Sequence, residues 1–186
     1  LVDRNAPGRE TSFGNAGILA TGSVLPGGKP GLWKRVPGML LDPMGPLTIR
    51  LSYLPRLTPW MLRFIANTTS RRVEEISQAL STIVLPGLRH YNELLDDVPN
   101  DQVPIRQQGC LYLYPNAADA AAAQSDNATR VRRGVALEML GPDEVRQLVP
   151  AIGPDVAGGA LATQSGHTTS PLALSQLLAA QIASDG

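Results

Sequence analysis

The order of segments predicts a layered protein of the α/β or α+β class. Three observations carry this. Leu1-Val2-Asp3 reads as the end of a buried strand, residues 70–95 as a helical block, and the chain from Cys110 onward as short strands mixed with helices.

Along the chain, Asp3-Arg4 opens into a polar loop punctuated by Gly8, Gly14 and Gly17. Over residues 5–38, Pro7-Gly8, Pro26-Gly27-Gly28, Pro30-Gly31 and Pro37-Gly38 exclude a long regular element. The apolar residues Phe13, Ile18, Leu19, Val24, Leu25, Leu32 and Trp33 within that stretch argue for packing. Leu47, Ile49, Leu51, Tyr53 and Leu54 then show short alternation, and Pro59-Trp60 opens a helix to about Asn67, with proline in its first turn. From Ser70 to Leu95, apolar residues recur at three- and four-residue steps, so the face bearing Ile76, Ile83 and Leu94 is expected to be buried. Ser70 is the expected cap, and Pro86 should kink or divide this helix.

Cys110–Tyr114 reads as a strand, with Tyr112 and Tyr114 on one face and Leu111 and Leu113 on the other. A helix follows from about Ala117 to Arg133, ending at Gly134. Residues 135–140 form a second strand, Pro142–Leu148 a short helix and Gly159–Thr163 a third strand, all three strands expected in one mainly antiparallel sheet. Gly166 turns the chain, and a last helix runs from Ser170-Pro171 to Ala183, capped by the serine.

Composition removes several functions. Sixteen basic and sixteen acidic residues cancel in 186, which leaves no nucleic-acid footprint. One cysteine cannot form an internal disulfide, which favours a reducing compartment, and no zinc site can be built on it. No apolar run reaches the length of a membrane span. No serine-hydrolase elbow, phosphate loop or paired-carboxylate spacing occurs, and neither histidine has a metal-ligand partner.

Four groups of residues remain as candidates. An ionised Asp3 at a strand's C-terminal edge can accept both hydroxyls of an adenosine ribose, or be a turn acid at the surface. Arg4 can place a phosphate, or be a solvated strand-end arginine. Thr11, Ser12, Asn15, Ala16 and Gly17 are small and uncharged, which lets a backbone approach a flat ring or a pyrophosphate. The same composition also makes an ordinary loop. His167 lies where a strand leaves for the last helix and can donate to a ligand or hold a turn; His90 reads as a helix-surface residue.

Val2-Asp3-Arg4, Glu10-Thr11-Ser12 with Asn15-Ala16-Gly17, and Gly109 with Leu111-Tyr112-Leu113-Tyr114 resemble a known pattern. Gly158-Gly159 and Gly166-His167 with Pro171-Leu172 continue it in the same order. The chain resembles FAD-dependent amino-acid oxidoreductases of the D-amino-acid oxidase superfamily, most of all the flavin-bearing small subunit of bacterial D-amino-acid dehydrogenases. It departs from them in lacking a glycine-rich turn before Asp3 and anything after Gly186, and so reads as an internal piece of a longer protein.

The resemblance implies residues 1–25 in a Rossmann-like FAD-binding domain, 26–165 in a substrate domain whose antiparallel sheet roofs the flavin, and 166–186 returning to the first domain. It implies FAD contacts from Asp3, Arg4, Thr11, Ser12, Asn15, Ala16 and Gly17, and a catalytic place for His167. The implied reaction oxidises D-amino acids to 2-oxo acids and ammonia by hydride transfer to flavin, the piece alone being inactive. A glycine- or sarcosine-type flavin amine oxidase and a non-catalytic truncated module are the alternatives. The implied partners are a D-amino acid and an electron acceptor such as a quinone or another respiratory-chain component. The implied location is the cytoplasm, peripheral to the inner membrane in one version. On topology, Gly166 and Thr168 should then lie beside the Ser12–Gly17 loop, some 150 residues away in sequence.

Overall fold

The computed structural model describes residues 4–42 and 49–184, so the strand end at Leu1–Asp3 and position Leu47 fall outside the described residues. Two compact units result, one of Leu1–Val24 with Ser81–Gly186 and one of Leu25–Leu80.

The first unit holds two antiparallel sheets. In the larger, β5 (Gly158–Ala162) lies between β3 (Cys110–Tyr114) and β4 (Leu137–Leu140), as the sequence predicts for these three segments. The register sets Tyr112 opposite Ala160 and Ala160 opposite Met139. Its central strand is Gly158-Gly159-Ala160-Leu161-Ala162, and the glycines admit neighbours that larger residues would exclude. A Cβ on Gly159 would lie 2.9 Å from the Tyr112 carbonyl oxygen and 3.2 Å from a Val145 methyl. Val145, on α6 (Pro142–Leu148), is fully buried. Removing such a side chain from water contributes about 1.5–3 kcal/mol.

Helix α5 (Ala117–Arg132) serves the face that carries Tyr114. Asn116 caps it, its side-chain oxygen accepting from the Asp119 N–H at 2.9 Å. Asn127 is buried and donates from Nδ2 to the Tyr114 hydroxyl at 2.7 Å, while Arg130 Nη1 donates to Asn127 Oδ1 at 3.0 Å. Helix α7 (Pro171–Ser184) starts where the sequence places it, with the Ala173 N–H donating to Ser170 Oγ at 3.1 Å.

The smaller sheet was not legible in the sequence. It sets β6 (Gly166–Thr168) between β1 (Ile18–Leu19) and β2 (Ile105–Arg106). Gly166 opens a strand here and is not a turn.

Several helical expectations are corrected. The punctuated stretch 5–38 does hold a regular element, α1 (Leu32–Leu41), with Pro37 and Gly38 inside it. The alternation at Leu51–Leu54 is no strand: Leu51–Tyr53 is a 3₁₀ turn leading into α2 (Leu54–Ala66). That helix begins five residues before Pro59, which sits inside it, while Pro55 occupies the first turn. The long helix divides at Pro86, as expected, into α3 (Ser70–Val84) and α4 (Gly87–Leu94). Its cap is Thr69, not Ser70, with Thr69 Oγ1 3.4 Å from the Arg72 N–H. The face predicted to be buried is covered only in part: Ile76 is half-buried, but Ile83 is 71% and Leu94 63% exposed, whereas Leu88 and Leu95 enter the core. Once proline splits the helix, a single stripe no longer continues through both halves.

Candidate active site

The small sheet brings the sequence-distant candidates together. Ile18 pairs with His167, and His167 with Arg106. Residues opposite one another in register share a face, so Ile18, His167 and Arg106 form one row across the sheet. Leu19, Gly166, Thr168 and Ile105 point the other way. The two faces differ in burial. Gly166 and Thr168 are buried, and a Cβ on Gly166 would lie 3.4 Å from Leu88 of α4. On the opposite face Ile18 and Arg106 are exposed and His167 is half-buried. The histidine therefore stands on the open side of the sheet.

Gly17 locks the loop onto this sheet. The Thr168 N–H donates to the Gly17 carbonyl at 2.7 Å, so the Ser12–Gly17 loop and Gly166–Thr168 are neighbours, as the topology predicted. Gly17 is buried with φ +67°, and a Cβ there would lie 2.5 Å from the Thr168 carbonyl oxygen. Its glycine is required by strand approach as well as by conformation. Asn15 Oδ1 accepts from the Gly17 N–H at 2.7 Å, an Asx turn that fixes the bend. Thr21 Oγ1 and Ser165 Oγ, both buried, lie 3.1 Å apart and tie the ends of the two segments together.

The remaining loop candidates face solvent. Arg4, Thr11, Asn15 and Ala16 are exposed and Ser12 is half-buried. Among the described residues the Thr11 and Ser12 hydroxyls have no hydrogen-bond partner. Asp3 lies outside the described residues. The loop thus presents uncharged donors at the edge of an open sheet face. That donor set fits a polar, flat, anionic cofactor such as FAD, which needs N–H and O–H groups without bulky side chains in front of them.

Arg106 was missed in the sequence because β2 is only two residues long. It lies beside His167, with Nη1 donating to the carbonyls of Val103 at 3.0 Å and Ile105 at 2.9 Å. Arg130 was missed too: its guanidinium lies over the Tyr112 ring, 4.6 Å from the centroid. Burial pushes the Tyr112 phenol above its ordinary value, Cys110 adds to this, and Arg130 and Ser23 pull the other way. No group of three or more metal-ligating side chains occurs among the described residues.

Comparison with known proteins places the chain. The family described as DAO, FAD dependent oxidoreductase, matches residues 1–186. The chain belongs to this family, whose members use FAD. A protein of Bradyrhizobium diazoefficiens named D-amino-acid oxidase is 35% identical over 176 residues, covering 92% of this chain and 41% of the relative. A second from that organism, named D-amino acid dehydrogenase, is 31% identical over 156 residues, covering 82% of this chain and 36% of the relative. The chain therefore spans about two-fifths of the length of these relatives. The glycine oxidase structure from Geobacillus kaustophilus shares the fold over 94% of this chain and 35% of its own, at 16% identity and a TM-score of 0.50.

Proposed function

We propose that this chain is part of an FAD-dependent dehydrogenase of D-amino acids, forming 2-oxo acids and ammonia. The observation that carries the reading is the open row Ile18–His167–Arg106 beside the donor loop 11–17. The names of two relatives support the substrate class. In this reading residues 1–25 and 166–186 belong to the FAD-binding domain and 26–165 to the substrate domain.

FAD, when bound, supplies the acceptor for the hydride leaving the substrate's α-carbon. With FAD bound, Asp3 would accept from the ribose hydroxyls and Arg4 would attract the phosphates. Thr11, Ser12, Asn15 and Ala16 donate to the cofactor's polar edge, and Gly17 holds that loop against β6. His167 orients the amino acid by a hydrogen bond from its imidazole. Arg106, one strand over, supplies positive charge for a carboxylate. The substrate's amine must arrive neutral, so that loss of the hydride leaves an iminium that water hydrolyses after proton loss. The electron acceptor in this reading is a quinone or another respiratory-chain component, and the protein lies in the cytoplasm at the inner membrane.

The test uses the product of the complete reading frame, purified with its flavin. Anaerobic addition of D-amino acids should bleach the flavin absorbance, and the L-enantiomers should not. Bleaching by glycine or sarcosine alone would replace this reading with a flavin amine oxidase, and a colourless protein would remove flavin chemistry altogether.

A further inference from the structure

Very little ladder holds the row at His167 together. β1 meets β6 over two residue pairs, and β2 meets it over two more. Their backbone bonds do not choose a register, because every residue but proline offers the same N–H and carbonyl. A slip of β1 by one position would set Gly17 or Leu19 opposite His167 in place of Ile18. It would also carry the 11–17 loop about 3.3 Å along β6.

One pair of side chains does choose. Thr21, two residues after β1, and Ser165, the residue before β6, are 5% and 0% exposed. Their hydroxyls lie 3.1 Å apart across 144 positions of sequence, and neither has another hydrogen-bond partner among the described residues. The turn that carries Thr21 is closed by the Ser23 N–H, which donates to the Ala20 carbonyl at 3.1 Å. It sits against the larger sheet: Gly22 is buried, and a Cβ on it would lie 3.4 Å from Ala162 Cβ. Ser165 is anchored there too. Its N–H donates to the Ala162 carbonyl at 3.1 Å, and its carbonyl accepts from the Gly109 N–H at 2.9 Å. Both hydroxyls are therefore carried by backbone held at β5 and at the start of β3.

We propose that Thr21 and Ser165 are positioning residues, whose paired hydroxyls fix the 11–17 loop against His167. The inference rests on the reading of that row given above and adds what keeps the row in place. An apolar pair would fill the same space, but apolar contact is non-directional and tolerates a slide. A slide of one residue is longer than any stretch a hydrogen bond survives, so it would leave two buried hydroxyls unpaired. That penalty falls on every register but the one that sets Ile18 beside His167. Both residues are too buried to meet a substrate, so they act through His167 and the loop.

The test uses the flavin-loaded product of the complete reading frame. Thr21→Val and Ser165→Ala should each lower kcat/KM on D-amino acids about tenfold, and Thr21→Ser, which keeps the hydroxyl, should restore most of it. In a His167→Ala background the same two changes should cost less than about twofold, because the group they position is gone. Thr21→Val combined with Ser165→Ala leaves no hydroxyl unpaired, so it should regain stability over the single variants but not turnover. It also decides the matter should a single variant fail to fold. A further readout needs no turnover. The imidazole NMR signal that His167→Ala removes should move in Thr21→Val and Ser165→Ala and return in Thr21→Ser. A wild-type protein without D-amino acid turnover, whose imidazole signal still moves in these variants, would remove the reaction and keep the pair as what positions His167. An unmoved signal overturns the proposal. So do normal turnover in the single variants, turnover that returns with stability in the double variant, and losses that multiply with that of His167→Ala.

Discussion

At position 17 a carbonyl oxygen of the neighbouring strand occupies the place where a side chain would begin. Gly17→Ala therefore meets both the Thr168 carbonyl, 2.5 Å from the new Cβ, and a φ of +67°. A loss of about 2–3 kcal/mol of unfolding free energy is expected, read by denaturant titration. An unchanged midpoint would show that the loop can lift off β6. His167 gives the second prediction at this scale. It stands on the open face between Ile18 and Arg106, so His167→Ala should lower kcat/KM on D-amino acids by about tenfold or more, or 1.4 kcal/mol. The stability of that variant should stay close to wild type, since the side chain is only half-buried. Normal turnover would make His167 a structural residue of β6 and nothing more. Gly17 and His167 were both visible in the sequence as candidates. Their adjacency followed from the order of the segments, whereas Arg106 did not emerge, because two residues give no periodicity to read.

Among elements, the strand bearing Tyr112 and Tyr114 shows what alternation can and cannot tell. Period two put both tyrosines on one face, and the structure agrees. It could not give their partners, which come from α5 at a spacing no local pattern encodes. Tyr114 hydrogen-bonds Asn127, which in turn holds Arg130 over Tyr112. Asn127→Ala should cost about 1–3 kcal/mol, because it leaves the buried Tyr114 hydroxyl and an Arg130 N–H unmatched together. Thermal unfolding with tyrosine spectroscopy reads both effects, and a shift of less than a degree would dissolve the network. The Tyr112 phenol provides a pH signature. Its folded pKa is raised, so the stability it contributes is present below the ordinary 10.0 and declines as pH rises through the higher folded value. Tyr112→Phe should remove that part of the alkaline decline, and an unchanged decline in that variant would assign it to other groups. Helices were legible where composition and end signals agreed, as in α5, rich in alanine and ending before Gly134, and in α7, opened by Ser170 and Pro171. They were misread where proline lay inside the pattern, as in α1 and α2, because tertiary context can outweigh an unfavourable helix residue.

For the molecule as a whole, burial is divided unevenly. All nine buried apolar side chains among the described residues, from Val24 to Leu174, lie in the unit of Leu1–Val24 with Ser81–Gly186. The unit of Leu25–Leu80 has helices, an open cavity and none of those nine. Composition could not reveal this, since 43% apolar content is an average over both. A helix of thirteen residues is marginal in water without a packed face. The amides of α2 should therefore exchange with deuterium at least about a hundredfold faster than those of β5, a gap of about 2.7 kcal/mol in opening free energy. The comparison with β5 is apt because that strand is hydrogen-bonded on both sides, with Ala160 and Ala162 fully covered. Mass-spectrometric hydrogen exchange measures it. Equal protection in α2 and β5 would mean that α2 is held by packing of core strength, and the uneven division of burial would then have no thermodynamic consequence.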